Sequence, residues 1–154
     1  MDDLRYLCFN IGEEEFALPL LSVKEVLAIP ETTPVPQMPT HFKGILNLRG
    51  KIISIMDLRT KLNIKPLKES AENAVVILDL GEYNLGIVVD RVNSVQTFEP
   101  SGLSDKPMVE NSKANDYITG VYRKDNKLVL LINVLKALSI EDKLFTQPGL
   151  SKAA

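Results

Sequence analysis

The chain has 154 residues, of which 45% are hydrophobic and 25% charged, and its 18 basic and 20 acidic side chains leave a net charge of −2. This balance, with no basic block and no tryptophan, argues against nucleic acid as a partner. The single cysteine, Cys8, cannot form an internal disulfide, and we expect a buried thiol in a reducing cytosol. The single histidine, His41, offers no zinc-binding set and little prospect of histidine catalysis.

The apolar runs are short. None exceeds five residues, whereas a membrane span needs about 20. We therefore expect a cytoplasmic protein that does not insert into the membrane and has no metal and no cofactor.

Four pairs of apolar runs, each pair separated by turn residues, are typical of β-hairpins. They are 5–11 with 16–18, 45–48 with 52–56, 74–80 with 85–89, and 120–122 with 128–132. Short helices are predicted after the second and fourth hairpins, because Asp57 and Asn133 can cap a first helical turn. We expect the later helix to extend towards Phe145, followed by a flexible tail over 147–154. Residues 22–25 fit a helical capping box and an alternating strand equally well.

The chain also repeats itself. A shift of 69 residues places 7–13 on 76–82, and a shift of 76 places 52–62 on 128–138, with the Gly-Glu turns and Asx caps in the same order. The proline-rich loop over 29–40 corresponds to a longer one over 97–116. The duplication predicts an all-β fold with a few short helices, in which two five-stranded, barrel-like subdomains pack as one compact body with a hydrophobic seam.

Catalytic equipment is not evident in the sequence. Residues 13–15 are acidic but lie in a predicted hairpin turn, and Asp57, Asp79 and Asp90 are separated by strands. No glycine-rich phosphate loop is present, and nothing argues for a cleft that would shift a carboxylate pKa. The sequence therefore predicts a binding module rather than an enzyme.

The hairpin over 44–58 is the most distinctive candidate for binding. Arg49 lies at its tip or shoulder, beyond Leu48, between strands that are apolar almost throughout and so should be covered on both faces. Arginine joins planar donors to an apolar stem and is frequent in interface hot spots, although a turn arginine in water is the plain alternative. Glu25 lies on the side of its strand opposite to Val26. The plain alternative to a binding role is that it simply faces solvent.

A second candidate lies in the loop over 97–116. Pro107, Met108 and Val109 place three apolar residues there. Methionine adapts well to binding surfaces, and a plug that closes a barrel end is the alternative.

Several motifs resemble a known family. Gly-Ile-Leu-Asn-Leu-Arg-Gly-Lys-Ile-Ile at 44–53, with Asp-Leu-Arg at 57–59, resembles the signature of the CheW family of chemotaxis coupling proteins. Val-Lys-Glu-Val at 23–26 is similar to the family's earlier Val-x-Glu-Ile element, and 86–92 and 117–120 match its second half. The elements follow the family's order over about 5–140.

This resemblance implies one domain over 1–146, built from two SH3-like five-stranded β-barrels. The expected barrel cores are about 14–65 and 85–133, with terminal segments crossing between them. It also implies a non-enzymatic adaptor that joins chemoreceptor cytoplasmic tips to the regulatory domain of a chemotaxis histidine kinase, at membrane-bound receptor arrays.

Site residues follow from the same resemblance. The family's receptor-binding groove carries over to Val23, Glu25, Leu48 and Arg49. The nearest matches to its kinase contacts are Pro107, Met108 and Val109, in a loop that diverges from the family pattern, with Ser104 where a basic residue is expected. A related pathway for pili or gliding is an alternative, and a small β-barrel that binds an oligonucleotide or oligosaccharide is a more distant one.

Overall fold

A computed structural model of the chain describes residues 4–65, 73–105 and 114–146. The strands in these ranges are β1 (Arg5–Ile11), β2 (Glu14–Pro19), β3 (Val23–Ala28), β4 (Phe42–Leu48), β5 (Lys51–Asp57), β6 (Ala74–Asp79), β7 (Asn84–Val89), β8 (Arg91–Thr97), β9 (Leu103–Ser104), β10 (Ile118–Lys124) and β11 (Lys127–Ile132). The helices are α1 (Leu58–Lys61), α2 (Ala114–Tyr117), α3 (Val134–Ala137) and α4 (Ile140–Leu144).

The predicted hairpins and helix caps are confirmed. The four hairpins are β1–β2, β4–β5, β6–β7 and β10–β11. The Asp57 side chain accepts a hydrogen bond from the Arg59 backbone N–H at 3.0 Å, and Asn133 accepts one from the Lys136 N–H at 3.2 Å. Local sequence fixes these elements, because each rests on a turn or a cap within a few residues.

The structure resolves one open alternative and corrects one expected helix. Residues 23–25 belong to strand β3, which begins at Val23, and Ser22 ends a 3₁₀ turn over Leu20–Ser22. The expected extension of the helix after Asn133 towards Phe145 is wrong. That helix ends at Ala137, and Ser139 begins a separate helix, α4, through a capping box in which Ser139 and Asp142 exchange hydrogen bonds of 3.0 Å. The proposed tail over 147–154 lies outside the described residues.

The strands form two sheets that exchange hairpins. The order is β3-β6-β7-β5-β4 in the five-stranded sheet and β8-β1-β2-β11-β10-β9 in the six-stranded sheet. The first hairpin of each repeat therefore lies in the sheet formed mainly by the other repeat, joined by the parallel pairs β5–β7 and β2–β11. Under the shifts of 69 and 76 residues the two orders coincide, apart from the two-residue strand β9.

Apolar clusters cover both faces of each sheet. The largest lies between the sheets, with Phe9 and Leu18 from one and Met56 and Ile87 from the other. Smaller clusters lie on the opposite, outer faces. One surrounds Phe98, which directly follows β8, and the other surrounds Ile55, Val75 and Val88 of the five-stranded sheet. The predicted hydrophobic seam is thus confirmed. The expected covering of both faces of the 44–58 hairpin holds only for the half away from its tip, because Ile52 is 41% exposed and Ile45, Leu46 and Leu48 are only partly buried.

The predicted fold class is confirmed: the chain is all-β with short helices, in two duplicated units that pack as one body. Within the described part of the chain, the outer strands of a sheet form no backbone ladder with each other, so neither barrel is closed by strand pairing. The barrel limits of 14–65 and 85–133 stay a prediction. The sheets group 23–57 with 74–89 and 5–19 with 91–132, so β2 and β7 each lie in the sheet opposite to the one those limits imply.

Candidate protein-binding site

Arg49 occupies the tip of the β4–β5 hairpin. Leu48 pairs with Lys51, which leaves Arg49 and Gly50 as a two-residue loop. Both residues have positive φ, 52° and 86°, as in the type I′ turn that suits the twist of a hairpin. The Asn47 side-chain oxygen accepts a hydrogen bond of 3.0 Å from the Gly50 N–H inside this turn.

The guanidinium of Arg49 makes a two-point contact with the carboxylate of Glu25. Nη1 donates to Oε1 at 2.5 Å and Nη2 donates to Oε2 at 3.1 Å. Hydrogen bonding from Arg49, strengthened by its charge, holds the pKa of Glu25 below its usual range, and the reciprocal contact raises the pKa of Arg49. The Arg49 side chain is 73% exposed and that of Glu25 is 24% exposed. The pair therefore fixes a charged group at the surface without burying it.

The Arg49–Glu25 pair connects the two edges of the five-stranded sheet. Strands β3 and β4 are the two outer strands of the five-stranded sheet, so the Arg49–Glu25 contact joins side chains from opposite edges. The sheet must curl strongly to bring these edges together. Leu48 and Leu27 pack against the apolar cluster on the same curled face. Side chains thus bridge an opening that no backbone ladder closes in the described residues.

The other predicted receptor-site residues lie nearby but face differently. A bulge between Val23 and Glu25 places Val23 opposite Leu78 and Glu25 opposite Ile77. Val23 packs against the cluster between the sheets, and Leu48 against the outer cluster. Glu25 lies on the face opposite to Val26, which is 42% exposed. The structure therefore brings Glu25 and Arg49 into contact, with Leu48 beside them and Val23 on the seam side of the strand.

A cleft with both apolar and polar walls opens between the two sheets at Ser22, which precedes Val23. Its volume is about 330 Å³, and its walls include Leu18 and Ser22 from one repeat, Leu78 and Leu80 from the start of the other, and Leu135 of α3. Leu21, next to Ser22 in the chain, is 74% exposed. Sequence periodicity could not locate this cleft, because the hairpin exchange between the sheets creates it. The predicted kinase-contact residues Pro107, Met108 and Val109 lie outside the described residues.

A buried ion network was missed by sequence reasoning. The Arg59 guanidinium contacts both carboxylate oxygens of Asp57 at 2.9 and 3.0 Å. Burial alone would raise the pKa of Asp57, but hydrogen bonds and charge from Arg59, with Lys43 adding to them, hold it below its usual range. Asp57 therefore has a second role besides capping α1: it anchors Arg59 inside the protein.

His41 belongs to a second internal network. Its Nε2 lies 2.6 Å from Asp142 Oδ1, and Lys61 Nζ lies 2.7 Å from Asp142 Oδ2. Asp142 is fully buried, so this histidine joins the loop before β4 to the helix α4. The network ties the segment before β4 to α1 and α4 through one carboxylate.

Metal-binding groups and the cysteine thiol would be possible reactive sites among the described residues. No group of three or more His, Cys, Asp or Glu side chains in them could hold a metal ion. Cys8 is fully buried, and burial raises the pKa of its thiol to about 11, which keeps it protonated and unreactive. In the part of the chain that the structure describes, no helix is long and apolar enough to cross a membrane.

Fold and site together define a duplicated β-scaffold that holds an arginine at an exposed hairpin tip. A family model described as a CheW-like domain matches residues 5–142. The chain belongs to this CheW-like family and is a chemotaxis coupling adaptor, as the sequence motifs implied.

Individual relatives agree with this assignment. The chain is 31% identical to the chemotaxis protein CheW of Klebsiella aerogenes over 137 residues, which cover 89% of this chain and 82% of that protein. It is 25% identical to CheW of Bacillus subtilis over 150 residues, covering 97% and 94%. The crystal structure of the scaffolding protein TtCheW from Thermoanaerobacter tengcongensis has the same fold, with a TM-score of 0.84, 24% identity and coverage of 95% of this chain and all of that one.

Proposed function

We propose that this chain is a non-catalytic adaptor that binds the cytoplasmic tip of a chemoreceptor and the regulatory domain of a chemotaxis histidine kinase. One observation carries the receptor part of the proposal. Arg49 is the exposed member of a two-point ion pair with Glu25, held at a hairpin tip by its turn. Through the receptor, the adaptor is recruited to membrane-bound arrays while remaining cytoplasmic.

Arg49 is well prepared to act as an anchor. Only two of its five N–H donors are engaged by Glu25, so the rest are available to a carboxylate or carbonyl of a partner. An arginine already held in one geometry loses less conformational freedom on binding than a free one. Glu25 therefore acts by orienting Arg49.

Apolar surface for the same partner is available beside this pair. The tip of a chemoreceptor is a helical hairpin, and helices dock into grooves through apolar side chains spaced along one face. Val23 connects the Glu25 strand to the cleft between the sheets, where Leu78, Leu80 and Leu135 line the walls. A receptor helix bound there would gain hydrophobic contact from the cleft and orientation from Arg49.

The kinase surface is proposed on the loop that carries Pro107, Met108 and Val109. This assignment rests on the family resemblance alone. Val109→Asp should weaken binding of the kinase regulatory domain and spare the receptor fragment. Equal loss of both partners would instead indicate unfolding and would contradict a separate kinase surface.

A pull-down with both partners tests the proposed function. Purified wild-type protein should retain a receptor cytoplasmic fragment and the kinase regulatory domain, and Arg49→Glu should lose the receptor only. Lys127→Glu is the matched control, because Lys127 follows the equivalent turn of the second repeat and receives the same change of charge. Retention of neither partner by the wild type would contradict the adaptor function.

A second candidate is coupling in a related pathway that controls pili or gliding. The chain is 29% identical to Protein PilI of Pseudomonas aeruginosa over 119 residues, which cover 76% of this chain and 66% of that protein. Receptor fragments from swimming and from surface-motility pathways, compared in the same pull-down, separate the two candidates by which fragment binds.

A further inference from the structure

We infer that Asn47 is a positioning residue for Arg49: its side chain holds the turn in which Arg49 adopts the left-handed conformation and meets Glu25. The inference rests on the proposed function, because the receptor is the partner whose binding depends on that geometry. It adds a residue that does not itself touch the partner.

The conformation of Arg49 is unusual for its residue type. Its φ of 52° lies in the left-handed region, which non-glycine residues seldom enter, and which asparagine and aspartate tolerate best. A type I′ turn would ordinarily carry Asn-Gly or Asp-Gly at these two positions. The chain therefore gives up favourable turn chemistry in order to place an arginine at the tip, and departures of this kind concentrate at functional sites.

The second repeat supplies an internal comparison. A shift of 76 residues places Arg49 on Asp125, which also has a positive φ of 55° but is a residue type that tolerates it. The same shift places Asn47 on Arg123, whose side chain has no acceptor atom. An asparagine that can brace the turn thus occurs in the repeat whose turn carries the arginine, and not in the repeat whose turn carries the aspartate.

The hydrogen bond from Asn47 acts directly on the strained segment. Its side-chain oxygen accepts from the Gly50 N–H at 3.0 Å, so the bond spans Arg49 and restricts the backbone on both sides of it. Gly50 has a φ of 86° and open space where a Cβ would lie, so it is required for its backbone freedom. Asn47 is itself exposed and faces no core cluster, so its replacement removes the brace without opening a cavity.

Receptor affinity tests the inference when three variants are compared. Asn47→Ala should weaken binding of the receptor cytoplasmic fragment about fivefold, the scale of one hydrogen bond, because Arg49 is freed from its bound geometry. Asn47→Asp keeps an acceptor oxygen and should restore most of the affinity. In an Arg49→Ala background, Asn47→Ala should have no further effect on affinity.

The outcomes separate this inference from the proposed function. If Arg49→Glu abolishes binding while Asn47→Ala binds within twofold of wild type, the positioning role is overturned and the receptor site stands. If neither variant changes receptor binding, the proposed site fails, and NMR decides the positioning role without a receptor. In that case, NMR compares wild type with Asn47→Ala. The positioning role is overturned if the Arg49 backbone coupling constant and side-chain Nε–H resonance are unchanged, and it is supported if both change.

Discussion

Arg59 and Asp90 join the two repeats through a buried hydrogen-bonded ion pair. The Arg59 Nη1 donates to Asp90 Oδ1 at 2.9 Å, and the two side chains are only 8% and 2% exposed. The other oxygen of Asp90 accepts from the Gly12 N–H at 2.6 Å, so one carboxylate connects α1 to the turns after β7 and β1. Two carboxylates, Asp57 and Asp90, thus share one guanidinium at the junction of the exchanged hairpins.

Removing the shared cation should be costly. Arg59→Ala leaves the buried Asp90 without its cation and Asp57 with only Lys43, whose Nζ lies 3.7 Å away. We expect it to lower the free energy of unfolding by about 3–5 kcal/mol. Urea denaturation at pH 7 measures this. Arg91→Ala, at an exposed arginine, is the control and should change stability by less than about 0.5 kcal/mol. A loss at Arg59 no larger than at Arg91 would show that the network does not hold the repeats together.

Acid should unfold the protein partly through Asp142. Burial alone would raise the pKa of Asp142, but hydrogen bonds from Lys61, the Ser139 backbone and His41 outweigh burial and hold it below the ordinary value of 3.8. A lowered folded-state pKa adds stability that is complete above the unfolded value and is lost as pH falls through the folded one. The free energy of unfolding of wild type should therefore drop more steeply below about pH 4 than that of Asp142→Asn.

The comparison of the two proteins isolates this carboxylate, because every other acid is common to both. Asp142→Asn should already be less stable at pH 7, since it leaves Lys61 without its buried partner. Urea titrations at pH 6, 4 and 3 give the two slopes. Parallel slopes would contradict a stabilising role for the ionised Asp142.

Two residues that the duplication makes equivalent have unequal roles in the structure. Phe98 and Ile29 each follow the third strand of their repeat, yet Phe98 is 1% exposed and Ile29 is 49% exposed. The Phe98 ring stacks between those of Tyr6 and Tyr122, with centroids 4.7 and 3.8 Å away. Phe98→Ala should thus cost about 3–5 kcal/mol of stability, and Ile29→Ala less than about 1 kcal/mol. Equal costs in chemical denaturation would contradict this assignment of the core.

Local patterns explain why so much of the fold could be predicted. Hairpins and helix caps depend on residues a few positions apart, and the repeat indicated two units. Local patterns could not predict the hairpin exchange, because it depends on the parallel pairs β5–β7 and β2–β11. The family resemblance implied only that terminal segments cross between the barrels. Nor could local patterns predict the Arg59–Asp90 and His41–Asp142 contacts, whose partners are 31 and 101 residues apart.

The candidate site was predictable in a different way. Composition and spacing marked Arg49 as a turn arginine and Glu25 as a strand residue, and only the family resemblance placed both in one groove. Their contact requires the sheet to curl until its outer strands approach, which is a property of the whole fold. Asn47 belongs to the motif at 44–53, but the sequence assigned it no role, because its hydrogen bond depends on the exact turn geometry.

The affinity of a receptor cytoplasmic fragment, measured by titration calorimetry, tests the central claim most directly. Arg49→Glu should weaken binding by at least about 30-fold, as expected for a hot-spot residue, and Lys127→Glu should leave it within about twofold. Circular dichroism should show both variants folded. A folded Arg49→Glu that binds the fragment as tightly as wild type would contradict Arg49 as the receptor anchor.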